Sequence, residues 1–169
     1  MFRIHDAMRI KQKQDQQSKP ERVAIYAKYT SHLQGQRSLE DQVRRCQDAA
    51  TLNGWTVLDE CIRCDEAGLG RFKVGRGGLY ELVELAEQPF CPFDGIVMEN
   101  TSRLGWSLSD TLPLTDRLKS ANVFLYFVDH DLDSRDPHFR TGLILFGQQD
   151  EQRYSDLGVT LLRKQMIDA

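Results

Sequence analysis

The chain has 169 residues, a formal net charge of −3 and a hydrophobic fraction of 40%. These values fit one domain with a real core and exclude a compositionally disordered protein. No apolar run approaches the roughly 18 residues of a spanning helix, and the N-terminal "MFRIHDAMRIKQKQDQQSKPER" lacks the apolar centre of a secretory signal, so a cytoplasmic protein with no membrane partner is expected.

Charge is uneven along the chain. Residues 1–22 carry a net +3, which leaves −6 on the remainder. Residues 1–21 therefore read as a polar, flexible tail ahead of an acidic body. An acidic body disfavours strong autonomous DNA binding, because phosphate contacts supply most of that affinity.

From residue 22 onward, strands and helices alternate. "RVAIYAKY" (22–29) reads as a buried parallel strand. A helix follows, with Ser38 as its N-cap, a stripe of Leu39, Val43, Cys46 and Ala50, and a left-handed stop at Asn53-Gly54. "WTVLDECI" (55–62) is a second strand, and a glycine-rich loop leads from it into a helix over 79–88, halted before Pro89. "FDGIVMEN" (93–100) is a third strand, 107–122 a helix containing Pro113, and "VFLYFVDH" (123–130) a fourth strand. From Pro137 the pattern is one long helix to Ala169, too long for the small core to cover, which implies a dimer or higher oligomer.

This alternation predicts an α/β fold: a four-stranded, mainly parallel sheet over 22–136, flanked by helices, with residues 137–169 forming an oligomerising helix. Ligands in such folds bind where strands end and helix-leading loops begin. Lys28, Thr30, Ser31, Gln34, Gln42, Arg76 and Arg103 are expected to gather at that rim. Cations, amides and a hydroxyl suit an anion whose charge grows during reaction, as in phosphoryl transfer. Blander readings stand beside this one: Thr30-Ser31 as a loop cap, Arg103 as a partner for a carboxylate such as Asp110, and His130 as a solvated loop residue. Neither the histidines nor Cys46, Cys61, Cys64 and Cys91 have convincing metal spacing, since the C-x-x-C at 61–64 falls on a strand whose alternate residues face apart. No metal and no cofactor are expected.

The succession "YAKYTSHLQ", "SLEDQVRRC", "NGWTV", "DEAGLG", "GRGGL", "SRLGWSLSD", "LDSRDPHFR" and "DEQRYSDL" resembles the catalytic domain of serine recombinases, the resolvase/invertase family, over about residues 22–163. The resemblance implies a parallel sheet wrapped by helices, then a long dimer-forming helix leading towards DNA. It also implies metal-free strand cleavage by a serine, a phosphoserine link to the 5' end, and rejoining within a tetramer.

Carried over by position, the nucleophile slot holds Thr30 and an arginine slot holds Lys28, with Ser31 one place late. Gln34 and Gln42 fall on glutamines near the family's active site, and Arg76 and Arg103 on its arginines. Trp106 stands where a second arginine of Ser-Arg-Leu-x-Arg would be. Threonine's methyl crowds in-line attack, lysine lacks the planar fork that grips two phosphate oxygens, and consecutive residues of an extended segment point apart, which takes Ser31 away from the site.

The expectation is a recombinase-like, DNA-associated protein deficient in cleavage and serving as an oligomerising or regulatory subunit. No helix-turn-helix or zinc ribbon is evident before Ala169, so DNA binding alone should be weak and a protein partner is expected to carry recognition. The competing readings are an active or weakly active recombinase using Thr30, and a small-molecule or nucleotide sensor.

Overall fold

The computed structural model describes residues 20–28, 35–65, 77–105 and 107–149, with the main chain alone at 35–38. Most of the N-terminal tail, the loop positions Thr30, Ser31, Gln34, Arg76 and Trp106, and the predicted helix beyond residue 149 lie outside these residues.

Strand β1 (Arg22–Lys28) is buried from Val23 onward, which suits its run of β-branched and small residues to the middle of a sheet. It pairs in parallel with β2 (Thr56–Asp65) on one side and β3 (Gly95–Met98) on the other. Strand β4 (Phe124–Phe127) extends the parallel array beyond β3. The order is β2-β1-β3-β4-β5. Strand β5 (Leu132–Asp133) is an antiparallel addition to the four expected strands. Its cause is local: after a 3-10 turn at Val128–His130, Asp131 adopts φ 45° and sends the chain back beside β4.

Side-chain alternation sorts the core into two layers. Val23, Ile25, Val97, Phe124 and Tyr126 face helix α1 (Gly35–Leu52) through Cys46, Ala49 and Ala50. Ala24, Tyr26, Ile96, Met98, Leu125 and Phe127 face the other way, towards α2 (Gly77–Ala86), α3 (Leu108–Ser120) and Leu143 of α4 (139–149). Helices therefore cover both faces, as right-handed crossovers require when the strand order reverses between β1 and β3.

Helix boundaries differ modestly from the sequence expectation. Helix α1 begins at Gly35, which puts Ser38 inside the helix instead of at its cap; Gln36 and Arg37 are good helix formers and extend the first turn. Its end is as expected, with Gly54 at φ 72° and the Trp55 N–H closing onto Ala50 O at 2.9 Å. Pro113 sits within α3 without ending it. Strand β2 outlasts its expected end, and its pairing with β1 slips, five residue steps from Val57 to Ile62 answering two from Val23 to Ile25. Cys61 is buried on this strand and Cys64 is exposed.

The sheet edge opposite the rim is closed by aromatic packing. Trp55 contacts both Phe124 and Tyr126 at 5.1 Å between centroids, and the Arg135 guanidinium lies 3.9 Å from the Phe124 ring centre. A Cβ on Gly95 would overlap the Phe124 ring, which these neighbours hold in place. Gly95→Ala is expected to destabilise the fold by about 1–3 kcal/mol through overpacking. A urea melt that left the midpoint unchanged would show that the ring has room to move.

Candidate functional site

In a sheet of this order, the crevice for ligands lies beyond the carboxyl ends of the strands where the order reverses, here β1 and β3. Lys28 closes β1 and is 7% exposed. Gln42, on the second turn of α1 and also buried, grips its main chain at two points. The Lys28 N–H donates to Gln42 Oε1 and the Gln42 amide donates to the Lys28 carbonyl, both at 3.1 Å. A side-chain amide thus takes the place of a neighbouring strand at the end of β1, and ties helix to strand.

Beyond β3, the chain forms a 3-10 turn at Thr101–Arg103 that packs against β1. The turn puts Arg103 inside the protein, with 6% exposure. Its partner is Glu99, four residues earlier: Arg103 Nη2 donates to Glu99 Oε2 at 2.8 Å. The sequence expectation of Asp110 as partner is corrected here, because Asp110 lies in the first turn of α3, exposed, while Glu99 shares the rim with the guanidinium. Arg103 Nε and Nη1 are buried with no hydrogen-bond partner. A buried guanidinium with two unused donor atoms has hydrogen bonds left to offer an anion.

The network continues sideways. Arg45 Nη1 donates to Glu99 Oε1 and Nη2 to Asp129 Oδ1, each at 2.5 Å. Asn100 Nδ2 donates to Asp129 Oδ2 at 3.2 Å, and Ser102 Oγ donates to Asn100 Oδ1 at 2.6 Å. Burial works against the Arg45 charge, but Asp129 and Glu99 outweigh it and hold the guanidinium above its ordinary pKa. Three elements, α1, β3 and the turn after β4, are thereby joined at one rim.

A second set of contacts positions the glycine-rich segment. Asp65, the last residue of β2, accepts from Tyr26 OH at 3.0 Å and from the Gly78 N–H at 2.9 Å, so it caps α2. A Cβ on Gly78 would press on Arg63 and Asp65, which explains the glycine there. The residue expected at this edge, Arg76, falls just outside the described residues.

Of the expected rim residues, the structure brings together Lys28, Gln42 and the turn bearing Arg103; Thr30, Ser31, Gln34, Arg76 and Trp106 lie outside the described residues. Glu99, Arg45, Asp129 and Asp65 were not picked out from sequence. The i,i+4 spacing of Glu99 and Arg103 was the available signal. His130 is another correction. The residue is half-buried: its ring stacks on Phe146 at 3.9 Å between centroids, with Nε2 buried, because α4 folds back over the turn after β4.

Residues 23–157 match the family described as "Resolvase, N terminal domain". The chain belongs to that family. No curated protein sequence matches this resolvase domain. Solved structures that share its fold include the following three. The N-terminal catalytic domain of TP901-1 integrase is 20% identical, covers 80% of this chain and 98% of its own, and has a TM-score of 0.58. A resolvase family site-specific recombinase from Streptococcus pneumoniae is 18% identical, with coverage of 86% and 98% and a TM-score of 0.60. The C-terminal catalytic domain of ISC1926 TnpA, an IS607-like serine recombinase, is 24% identical, with coverage of 63% and 68% and a TM-score of 0.50. Among the described residues, no helix is long and apolar enough to cross a membrane and no group of three or more His, Cys, Asp or Glu is placed to hold a metal ion.

Two predictions arise from the packing of α1 under this resolvase rim. Gln42→Leu removes the two hydrogen bonds between the Gln42 amide and the Lys28 main chain, and their loss in a buried setting should destabilise by about 2–4 kcal/mol in a urea melt. An unchanged midpoint would contradict the clasp. Cys46, one turn further along α1, has its thiol pushed up from an ordinary 9.0 to about 12, first by burial and then by the Glu99 charge. The unfolded thiol ionises first as pH rises, so Cys46 favours the fold below about pH 9 and that contribution drains away towards pH 12. Melts at about pH 8 and about pH 10.5 should show a smaller alkaline loss in Cys46→Ala than in the wild type; equal losses would contradict the assignment.

Proposed function

We propose that this resolvase domain holds the DNA phosphodiester backbone at its rim without cutting it, and serves as an oligomerising or regulatory subunit of a DNA-associated assembly in the cytoplasm. The carrying observation is Arg103, buried against Glu99 with Nε and Nη1 unpartnered at the strand-order reversal. That arrangement supports a phosphate contact.

Residue identity at three slots weighs against cleavage. Lys28 offers a point charge where a fork is needed, Thr30 a hindered hydroxyl, and Trp106 a single N–H in place of a guanidinium. Each lost transition-state contact commonly costs about 3–4 kcal/mol, or roughly 100- to 1000-fold in rate. Three together reduce strand cleavage to a negligible level. Arg76 and Gln34 are assigned to backbone contact with Arg103, whereas Gln42, whose amide is engaged by the Lys28 main chain, is assigned to positioning.

Association is assigned to the helix that begins at 139. Leu143 is buried in the core while Leu145 is 53% exposed, and this leucine offers an apolar contact to a second copy of the chain. DNA binding by the chain alone is weak, and a protein partner supplies sequence recognition.

Fluorescence anisotropy on a short duplex tests the phosphate contact. Arg103→Ala should weaken binding and reduce the slope of log K against log salt by about 0.9. The wild type, incubated with supercoiled or nicked DNA and denatured, should yield no covalent protein–DNA adduct. An adduct lost in Thr30→Ala would establish the protein as a recombinase using Thr30 and overturn the cleavage-deficient reading.

A further inference from the structure

Arg103 does not face the rim as a bare cation. Glu99, only 12% exposed at the side chain, accepts from it through Oε2 and from Arg45 through Oε1, while Arg45 also donates to Asp129. Two guanidinium groups and two carboxylates make this cluster electrically neutral. A phosphate reaching Arg103 therefore meets two unused donor nitrogens but no net positive charge from the cluster, and a carboxylate on the same guanidinium repels it.

We propose that Glu99 is a built-in counter-ion for Arg103: it fixes the guanidinium in the rim and at the same time restrains its affinity for a phosphodiester. Arg45 tempers this restraint, because it shares the Glu99 charge and draws the other end of the carboxylate towards Asp129. Glu99 is thus a positioning residue that acts on the anion through Arg103. The proposal rests on the reading of Arg103 as a phosphate contact. It makes the rim a deliberately weak binder whose strength depends on one carboxylate, in keeping with a subunit that samples DNA as part of an assembly.

The sign of two substitutions separates this from general surface charge. Glu99→Gln keeps an acceptor for one guanidinium and removes the negative charge, so affinity should rise. Arg45→Gln leaves the cluster with a net negative charge, so affinity should fall. In anisotropy titrations with a short DNA duplex at fixed low salt, the full chain carrying Glu99→Gln should bind about tenfold more tightly than wild type, the scale of one close, partly screened charge. Arg45→Gln should bind several-fold more weakly. Repeating both in an Arg103→Ala background should shrink each effect below about twofold, since the coupling runs through that guanidinium.

Effects that persist at full size in the Arg103→Ala background would overturn the proposal in favour of non-specific charge. So would a Glu99→Gln affinity equal to or below that of the wild type when Arg103→Ala still weakens binding; the phosphate contact would then stand and the counter-ion role fall. If Arg103→Ala has no effect on binding, the phosphate contact itself is wrong and the counter-ion role falls with it. Thermal melts accompany each variant. Should Glu99→Gln fail to fold, the Arg45→Gln pair decides by the same comparison.

Discussion

A strand buried on both faces must satisfy its main chain along both edges, and β1 lives under that constraint for its whole length. Strand β2 meets it on one edge through Lys28, and β3 on the other as far as Tyr26. At Lys28 a side chain from α1, Gln42, meets it instead. Strand β3 has by then given way to the 3-10 turn of Arg103, and the rim lies at the carboxyl ends of these two strands. The same contact that completes β1 therefore fixes where α1 begins its course across the sheet, and with it the position of Arg45 one turn later.

Electrostatics at this rim is organised as an alternation of signs, Arg103, Glu99, Arg45, Asp129, each bonded to the next. Buried charges are tolerated only when paired and hydrogen-bonded; Glu99, the more buried internal member of this row, has a guanidinium on each side, and the more exposed Arg45 has a carboxylate on each side. Arg103, at the end, has one. The unsatisfied donors fall at the terminus of the row and at the reversal of strand order. Two independent lines of physical reasoning, sheet topology and the satisfaction of buried polar groups, thus lead to one residue.

The layers of this fold were legible because three of its parallel strands are apolar runs and its helices are striped, so that "RVAIYAK", "GIVM" and "FLYF" could be read as buried parallel strands without knowledge of their neighbours. Strand β5 was not, since two residues whose pairing depends on the positive φ of Asp131 leave no periodic trace. The cation Arg103 was legible as a rim residue, but its partner was misjudged. An i,i+4 pair is ordinarily a helical signal, and here the two residues span the end of a strand and a 3-10 turn, where that spacing brings them together for a different reason. Asp129 and Arg45 lie 84 positions apart, and no local pattern relates them. His130 looked like a solvent residue among aspartates because the aromatic that covers it, Phe146, arrives from the next helix.

The overlap that any side chain at Gly95 would make with Phe124 also bears on how this chain can drift in sequence. The two residues face each other across the β3–β4 pairing, and the ring occupies the space that a Cβ would need. They amount to one inherited unit: a larger residue at 95 becomes acceptable only after the ring at 124 has shrunk, and a smaller residue at 124 leaves a void that a side chain at 95 can fill. Substitutions at contacting positions of this kind are not additive. Diverged members of the fold would be expected to cross between the two solutions as a pair, with the sheet unchanged and the identity of both positions altered together.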